Sequence, residues 1–533
     1  MIKKITLLAL VLILTKAEYA QSFNWAADVA PILYNNCTTC HHDGGLAPFS
    51  LLDYNDAYQQ RHNISHDVSI KKMPPWSPDP AYTRLAHERL LTPREISIIT
   101  DWVSQGAAMG DTTQAPVKPV YTNGSQLGSP NLTLTIPAFT VPNNQTSDIY
   151  QCFAIPTGLL QNKFITGMEI VPGNPSIVHH VLVYQDTTGA CAQLDAAAAG
   201  PGYVNFGGVG SNSAILIGGW VPGSSPSVLP ANFGIALYKN AYIVLQIHYP
   251  AGSNGRIDST KINLQLSNSV SRQVSLAPVL NWYTNINSPL TIPADSIITF
   301  NEQYQLPNAN VSVLSIAPHC HLVGQKWLSY GITTAGDTMP FIRINNWDFH
   351  WQGFYQFRNI MKIPAKTNLY AFCTYDNTAN NPNNPNNPPQ RVSAGENTTN
   401  EMMLVYFSYT LYQPGDENIV LDSSTLINLN DTLSAPTSID EVAKGLVSTP
   451  QLYDVVPNPA KNETLISYYL PYAAKVDLTI FDLEGRLVEQ LDATGNAGFN
   501  NIHYNTSMLQ AATYLISLSD NGVIKSKHLV VVK

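Results

Sequence analysis

The chain has 533 residues, more than one hydrophobic core accommodates, and 44% of them are apolar, so several separate cores are expected. Only 12% are charged, while 37 Pro, 32 Gly and 27 Tyr set the texture, which points to an exported protein of strands and turns rather than a helical cytosolic one. A net charge of −9, with no Lys/Arg-rich tract, argues against nucleic acid or an anionic membrane as the main partner.

Residues 1–21 read as a signal peptide. Lys3 and Lys4 form a basic start, residues 5–14 form an apolar run too short to span a bilayer, and Ala20 supplies a small residue for cleavage. No other segment approaches the length of a membrane span, so the mature protein is expected to be secreted or held at the cell surface. Export permits disulfides. Of the six cysteines, Cys37 and Cys40 have another use, and the pairing of Cys152, Cys191, Cys320 and Cys373 stays open.

Cys37-Thr38-Thr39-Cys40-His41 has the c-type haem attachment spacing. Two thiols one turn apart each bond a haem vinyl group, and the following imidazole is left to ligate the iron. An amphipathic helix is predicted over 27–34, with Val29, Ile32 and Leu33 on one side. Downstream, Met73-Pro74-Pro75-Trp76 puts a thioether on a rigid loop as the opposite axial ligand, with His62, His66 and Met109 competing for that place. Thr92-Pro93-Arg94-Glu95 is a capping box that opens a helix carrying Ile96, Ile99, Trp102 and Val103 on its apolar face. These features resemble a small all-α cytochrome c domain over residues 22–110, which implies a covalent haem c. Residues 111–130 read as a linker.

From residue 131 to 420 the pattern is short β-rich runs broken by Pro, Gly and Asn, for example at 132–136, 242–248, 261–266 and 311–316. Runs at this spacing predict two antiparallel β-sandwiches, 131–275 and 276–420, in a protein that is multi-domain and mainly β. His319 and His321 are two apart on a predicted strand, so both rings project from one face toward a metal. His179 and His180 are adjacent, and on a regular strand they would point to opposite faces. They share a metal only at a bulge, a twist or a strand end. His248, on an alternating strand, would complete an all-imidazole site, and Met402 is a soft ligand suited to Cu(I) and not to zinc. His350, among aromatics in Trp347-Asp348-Phe349-His350-Trp351, reads as a packed, hydrogen-bonded side chain.

These fragments resemble the copper type II, ascorbate-dependent monooxygenases, the family of the peptidylglycine and dopamine hydroxylating enzymes. The resemblance runs over roughly residues 131–415: Tyr150-Gln151-Cys152, the His179–His180 pair, Trp220-Val221-Pro222-Gly223, Leu245-Gln246-Ile247-His248-Tyr249, His319 and His321, and Glu401-Met402. It implies that His179, His180 and His248 hold an electron-transfer copper. It also implies that His319, His321 and Met402 hold an oxygen-binding copper across an open cleft, with Tyr406 matching the family's tyrosine. The implied reaction is hydroxylation of a C–H bond of a small organic substrate with O2 and two single electrons from ascorbate, another one-electron donor or a redox partner protein. The peptide-hydroxylating members carry a substrate-clamping Arg and Asn where this chain has Ala317 and Leu404, so peptidylglycine is not the expected substrate. The family's cysteine after the ligand methionine is Met403 here, so Cys373, which resembles its disulfide partner, needs another mate. A haem on the same chain can relay electrons to the coppers at high effective concentration.

Residues 421–450 read as a second linker, and 451–533 as a small β-sandwich. Pro457-Asn458-Pro459-Ala460, Ile480-Phe481-Asp482-Leu483-Glu484-Gly485-Arg486, Tyr514 and the closing Lys527-His528-Leu529-Val530-Val531-Val532-Lys533 resemble the sorting domain of type IX secretion, whose machinery is then an implied partner. The alternative from another functional class is a non-catalytic extracellular haem and copper electron carrier. A zinc hydrolase leaves Met402 without a purpose.

Overall fold

The computed structural model describes residues 22–533 except 122–123, 433–449, 453–454, 456–457, 471–473, 484, 496–497 and 521–522. The predicted signal peptide, most of the second linker, Pro457, Glu484 and the turn at Asn521-Gly522 therefore lie outside the described residues. The fold is mainly β, with 40% strand and 12% helix. No helix among the described residues is long and apolar enough to cross a membrane.

Three helices, Ala30–Asn36, Tyr54–Ser69 and Pro93–Ser104, enclose a small core that includes Trp25, Leu33, Ile99 and Trp102. The last helix starts where Thr92 accepts from the Glu95 N–H and the Glu95 carboxylate accepts from the Thr92 N–H, satisfying two orphan donors of the first turn. The chain between the second and third helices leaves this core. Trp76 packs against the second sandwich, Pro78 and Leu85 form bridges to Ile344 and Phe357, and Asp79 pairs with Arg343 at 2.8 Å. The stretch after the helices folds back: Tyr121 stacks on His42 with ring centroids 4.2 Å apart and its hydroxyl meets Thr38 at 2.7 Å.

The first sandwich packs a six-stranded sheet on a five-stranded one. In the latter, Tyr242–Tyr249 is central, antiparallel to both Ile149–Pro156 and His180–Asp186. Buried on both faces, this strand reads as a run of apolar residues rather than a clean alternation. The second sandwich faces Ser275–Asn281, Leu404–Leu411, Val311–His319 and Tyr355–Ile363 against Ser296–Gln305, Asn368–Asn377, Gly324–Ile332 and Thr338–Ile344. Leu280, Ile316, Trp327, Phe341 and Phe407 fill the space between. One buried ion pair bolts the sandwiches together: Arg272 of the first reaches Asp416 of the second, with Nη2 to Oδ2 at 2.6 Å. The tail is a third, smaller sandwich of three and four strands over Leu478, Ile480, Ile516 and Leu529.

Candidate metal centres

His180 is the first residue of strand His180–Asp186, and His179 lies just before it, its N–H bonded to the His248 carbonyl at 2.9 Å. At this strand end the pleat no longer forces adjacent rings apart. His248 stands directly opposite His180 in the ladder. The Nδ1 atoms converge: His179 to His180 is 3.1 Å and His248 to His179 is 3.1 Å. Burial, then the neighbouring imidazoles, depresses His179 to about 3 and drives His180 well below its ordinary value, so these rings are neutral donors. Three imidazoles whose ring nitrogens converge in a partly dry site fit a cation of the imidazole-binding kind. Tyr150 stacks flat on His248, with centroids 4.4 Å apart, and fixes that ring. The Nε2 of His248 lies 3.1 Å from Asp148 Oδ2, off the line of an aligned hydrogen bond, and the Asp148 carboxylate accepts from the Thr398 hydroxyl of the second sandwich.

The second set corrects the strand reading of His319 and His321. Strand Val311–His319 ends at His319, and the chain then turns. The cause is Glu401, a fully buried carboxyl that accepts from the N–H groups of His321 at 2.7 Å, Val323 at 2.8 Å and Met402 at 3.2 Å. One side chain thus peels His321 off the strand and sets the backbone of Met402 beside it. Burial raises the Glu401 carboxyl to about 8, against the pull of those donors. The His319 Nδ1 meets the Gln352 side-chain oxygen, and the His321 Nδ1 meets the Asn400 carbonyl at 3.1 Å. Both partners are acceptors, so both Nδ1 atoms carry protons and both Nε2 atoms are left for a metal. The two sets therefore differ in donor atom, Nδ1 in the first and Nε2 in the second. Burial holds His321 at about 3 and lowers His319, keeping both neutral.

His180, His319, His321, Met402 and Tyr406 line one cavity of about 130 Å³ between the sandwiches. Phe349 lies between the two sets, its ring 5.4 Å from His179 and 5.8 Å from His321. His350 is not packed as the sequence suggested: it is exposed, bonded to Asp348 at 2.9 Å, with its ring 5.5 Å from His179. Sequence reasoning also passed over Glu396, the one carboxylate side chain in the cavity wall, and the positioning roles of Glu401 and Gln352. The Glu-Met motif was visible, but nothing local reveals an acceptor for N–H groups 78 and 80 residues away.

In the helical part, Cys40 and His41 donate backbone N–H groups to the Cys37 carbonyl at 3.1 and 2.9 Å, so the two thiols stand one turn apart. The His41 Nδ1 meets the Phe49 carbonyl at 3.2 Å, which leaves Nε2 as the free ligand atom. Burial lowers the His41 pKa, favouring the neutral ring. Met73 sits partly buried on the turn after the second helix, its N–H bonded to the Asp67 carbonyl at 3.1 Å. Its competitors His62, His66 and Met109 are exposed. The thiols of Cys152, Cys191, Cys320 and Cys373 are free and buried.

Comparison with known proteins agrees on the middle of the chain and the tail. Residues 132–254 match the N-terminal domain of the copper type II ascorbate-dependent monooxygenases, residues 287–424 match the C-terminal domain, and residues 454–533 match a secretion system C-terminal sorting domain. A tyramine beta-hydroxylase of Caenorhabditis briggsae is 24% identical over 325 residues, covering 55% of this chain and 50% of its own. DBH-like monooxygenase protein 1 of Mus musculus is 25% identical over 294 residues, covering 51% and 45%. The chain thus spans about half the length of the curated relatives it matches. A β-glucuronidase of Ruminococcus gnavus aligns at a TM-score of only 0.12 with 11% identity over 45% of this chain and 36% of its own, and carries no argument. The sorting domain marks an exported protein, secreted or at the cell surface. The chain carries both domains of a copper type II ascorbate-dependent monooxygenase, joined to a C-terminal secretion sorting domain.

Proposed function

We propose that the protein hydroxylates a C–H bond of a small organic molecule with O2, using two coppers and electrons delivered singly. His179, His180 and His248 would hold one copper through Nδ1, and His319 and His321 through Nε2, with Met402, would hold the other. Copper supplies the one-electron chemistry with O2 when bound. The chain's own residues do the rest. Glu401 fixes the His321 turn and the Met402 backbone, Gln352 and Asn400 fix the protons of the second imidazole pair, and Phe349 with Trp220 narrows the cavity against water. The observation that best supports this reading is that His180 of the first histidine set and both histidines of the second line one cavity.

The cavity wall also bears on the substrate. Tyr150, Tyr184, Tyr406, Trp220 and Phe354 make it aromatic, Ala317 and Leu404 stand where a carboxylate clamp would be needed, and the acidic member is Glu396, whose pKa burial raises. A neutral or amine-bearing molecule suits such a wall, and a free carboxylate does not. Tyr406, in the same wall, is the proposed substrate-contacting tyrosine.

Haem c bound at Cys37, Cys40 and His41, with Met73 as the further axial ligand, is the proposed in-cis relay, supplemented or replaced by ascorbate or a redox protein. Type IX machinery is the proposed export partner. The test is copper-loaded, full-length protein supplied with a reductant and a library of aromatic amines and neutral aromatics. One hydroxylated product per O2 consumed is expected. O2 uptake without product, or none, would favour an electron carrier, and glyoxylate release from a glycine-extended peptide would overturn the substrate reading.

A further inference from the structure

One carboxylate lies between the first histidine set and the loop that builds the second. Asp148 stands just before strand Ile149–Pro156, and its two oxygens have different partners. Oδ1 accepts from the Ala251 N–H at 3.1 Å, which fixes the rotation of the group. Oδ2 faces the His248 Nε2 at 3.1 Å and accepts from the Thr398 hydroxyl of the second sandwich at 3.3 Å. The His248 Nε2 is buried, and no other group among the described residues accepts from it. With Nδ1 turned toward His179, the ring's proton belongs on Nε2, in front of Asp148. Thr398 belongs to a loop closed on itself: Gly395 donates its N–H to the Glu401 carbonyl at 3.0 Å, Asn400 donates to the Asn397 carbonyl at 2.8 Å, and Ala394 bridges to Glu401. The far side of this loop serves the second set, where the Asn400 carbonyl accepts from the His321 Nδ1 and the Glu401 carboxylate from the His321 N–H. Its near side meets the first sandwich at a second point, Gly207, where a Cβ would stand 2.5 Å from the Glu396 Cγ.

We propose that Asp148 is a positioning residue for both metal sets: it holds the His248 ring with Nδ1 toward the first metal and, through Thr398, seats the loop that presents His321 and Met402 to the second. The inference rests on the two-copper reading above. A cation on Nδ1 draws charge from the imidazole and makes Nε2–H a stronger donor, so metal and carboxylate orient one ring from its two nitrogens. Because one oxygen takes both donors, the place of His248 and the place of Thr398 are fixed together. The hydrogen bonds within the loop carry that constraint from Thr398 to Asn400 and Glu401. Asp148 and Thr398 are not among the residues lining the cavity, so they act through the ligands and not on the substrate.

The test is titration of the full-length protein with Cu(I) in competition with a chromophoric chelator. Each set is read alone, the first in a His319→Ala/His321→Ala background and the second in a His179→Ala/His180→Ala background. Asp148→Ala should weaken the first set about 10–100-fold, and Asp148→Asn, which keeps an acceptor oxygen, should recover part of that loss. Thr398→Val keeps the shape and removes the hydroxyl; it should weaken the second set about fivefold and leave the first within about twofold, with Thr398→Ser restoring it. Because the two residues act along one route, Asp148→Ala/Thr398→Val should bind at the second set no more weakly than the worse of the two single variants. An unchanged first set in Asp148→Ala, an unchanged second set in Thr398→Val, or additive losses at the second set in the double variant would each overturn the proposal while leaving the two-copper reading intact. Failure of the unsubstituted protein to bind two equivalents of copper sinks that reading itself.

Discussion

The relation of the two histidine sets depends on how the sandwiches are held, and one buried fastening is Arg272 with Asp416. Both side chains are buried, the Asp416 carboxylate also accepts from Ser312 Oγ at 2.6 Å and from the Gln413 N–H at 2.9 Å, and Arg272 lies over the Phe233 ring at 4.9 Å. Asp416→Asn leaves the guanidinium buried without its charge, which costs about 3–5 kcal/mol. The double variant Arg272→Met/Asp416→Leu removes both charges and should cost far less than the single one. A pH dependence follows as well. Burial alone would raise the Asp416 pKa, but the hydrogen bonds from Arg272, Ser312 and Gln413 overcome it and hold it at about 2 against an ordinary 3.8. The folded state therefore gains roughly 2 kcal/mol. That gain is complete above the ordinary value and is lost as the pH falls through about 2. The assay is urea unfolding at pH 7 and pH 3, followed by tryptophan fluorescence, for the wild type and both variants. The reasoning is refuted if Asp416→Asn costs under about 1 kcal/mol at pH 7, or if the double variant costs as much as the single one.

Two further outcomes are expected. Glu302 is fully buried, neither carboxyl oxygen has a hydrogen-bond partner among the described residues, and burial lifts it to about 9 from 4.5, so its stability contribution is full below 4.5 and lost as the pH rises toward 9. Glu302→Leu should accordingly have a larger unfolding free energy than wild type at pH 8, by on the order of 3–5 kcal/mol, with the gap narrowing at pH 5. Glu401→Gln removes one acceptor oxygen from the His321, Val323 and Met402 N–H groups, and copper titration should show about a 10–100-fold weaker second site with the first unchanged.

Local features were the most legible from sequence. The Thr92–Glu95 capping box, the one-turn spacing of Cys37 and Cys40, and the strands around His248 follow from short-range chemistry, and the structure contains each of them. What depends on distant residues was hidden. The adjacent pair His179 and His180 looked awkward until the strand was seen to begin at His180. His319 and His321 looked like same-face strand neighbours until Glu401, 80 residues beyond His321, was seen to end that strand. His350 looked buried because its neighbours are aromatic, yet Asp348 holds it at the surface. The Trp76 to Arg89 stretch has no periodicity of its own and takes its shape from Ile344, Phe357 and Gly223, so no reading of that segment alone would place it.

The two-copper proposal stands or falls on the ligand shells, and X-ray absorption at the copper edge of ascorbate-reduced, fully loaded protein reads them directly. Imidazole scattering with one sulfur scatterer for every two coppers is expected, the sulfur vanishing in Met402→Leu while imidazole scattering persists. Wild-type protein without copper–sulfur scattering, or a Met402→Leu variant that retains it, would contradict the assignment.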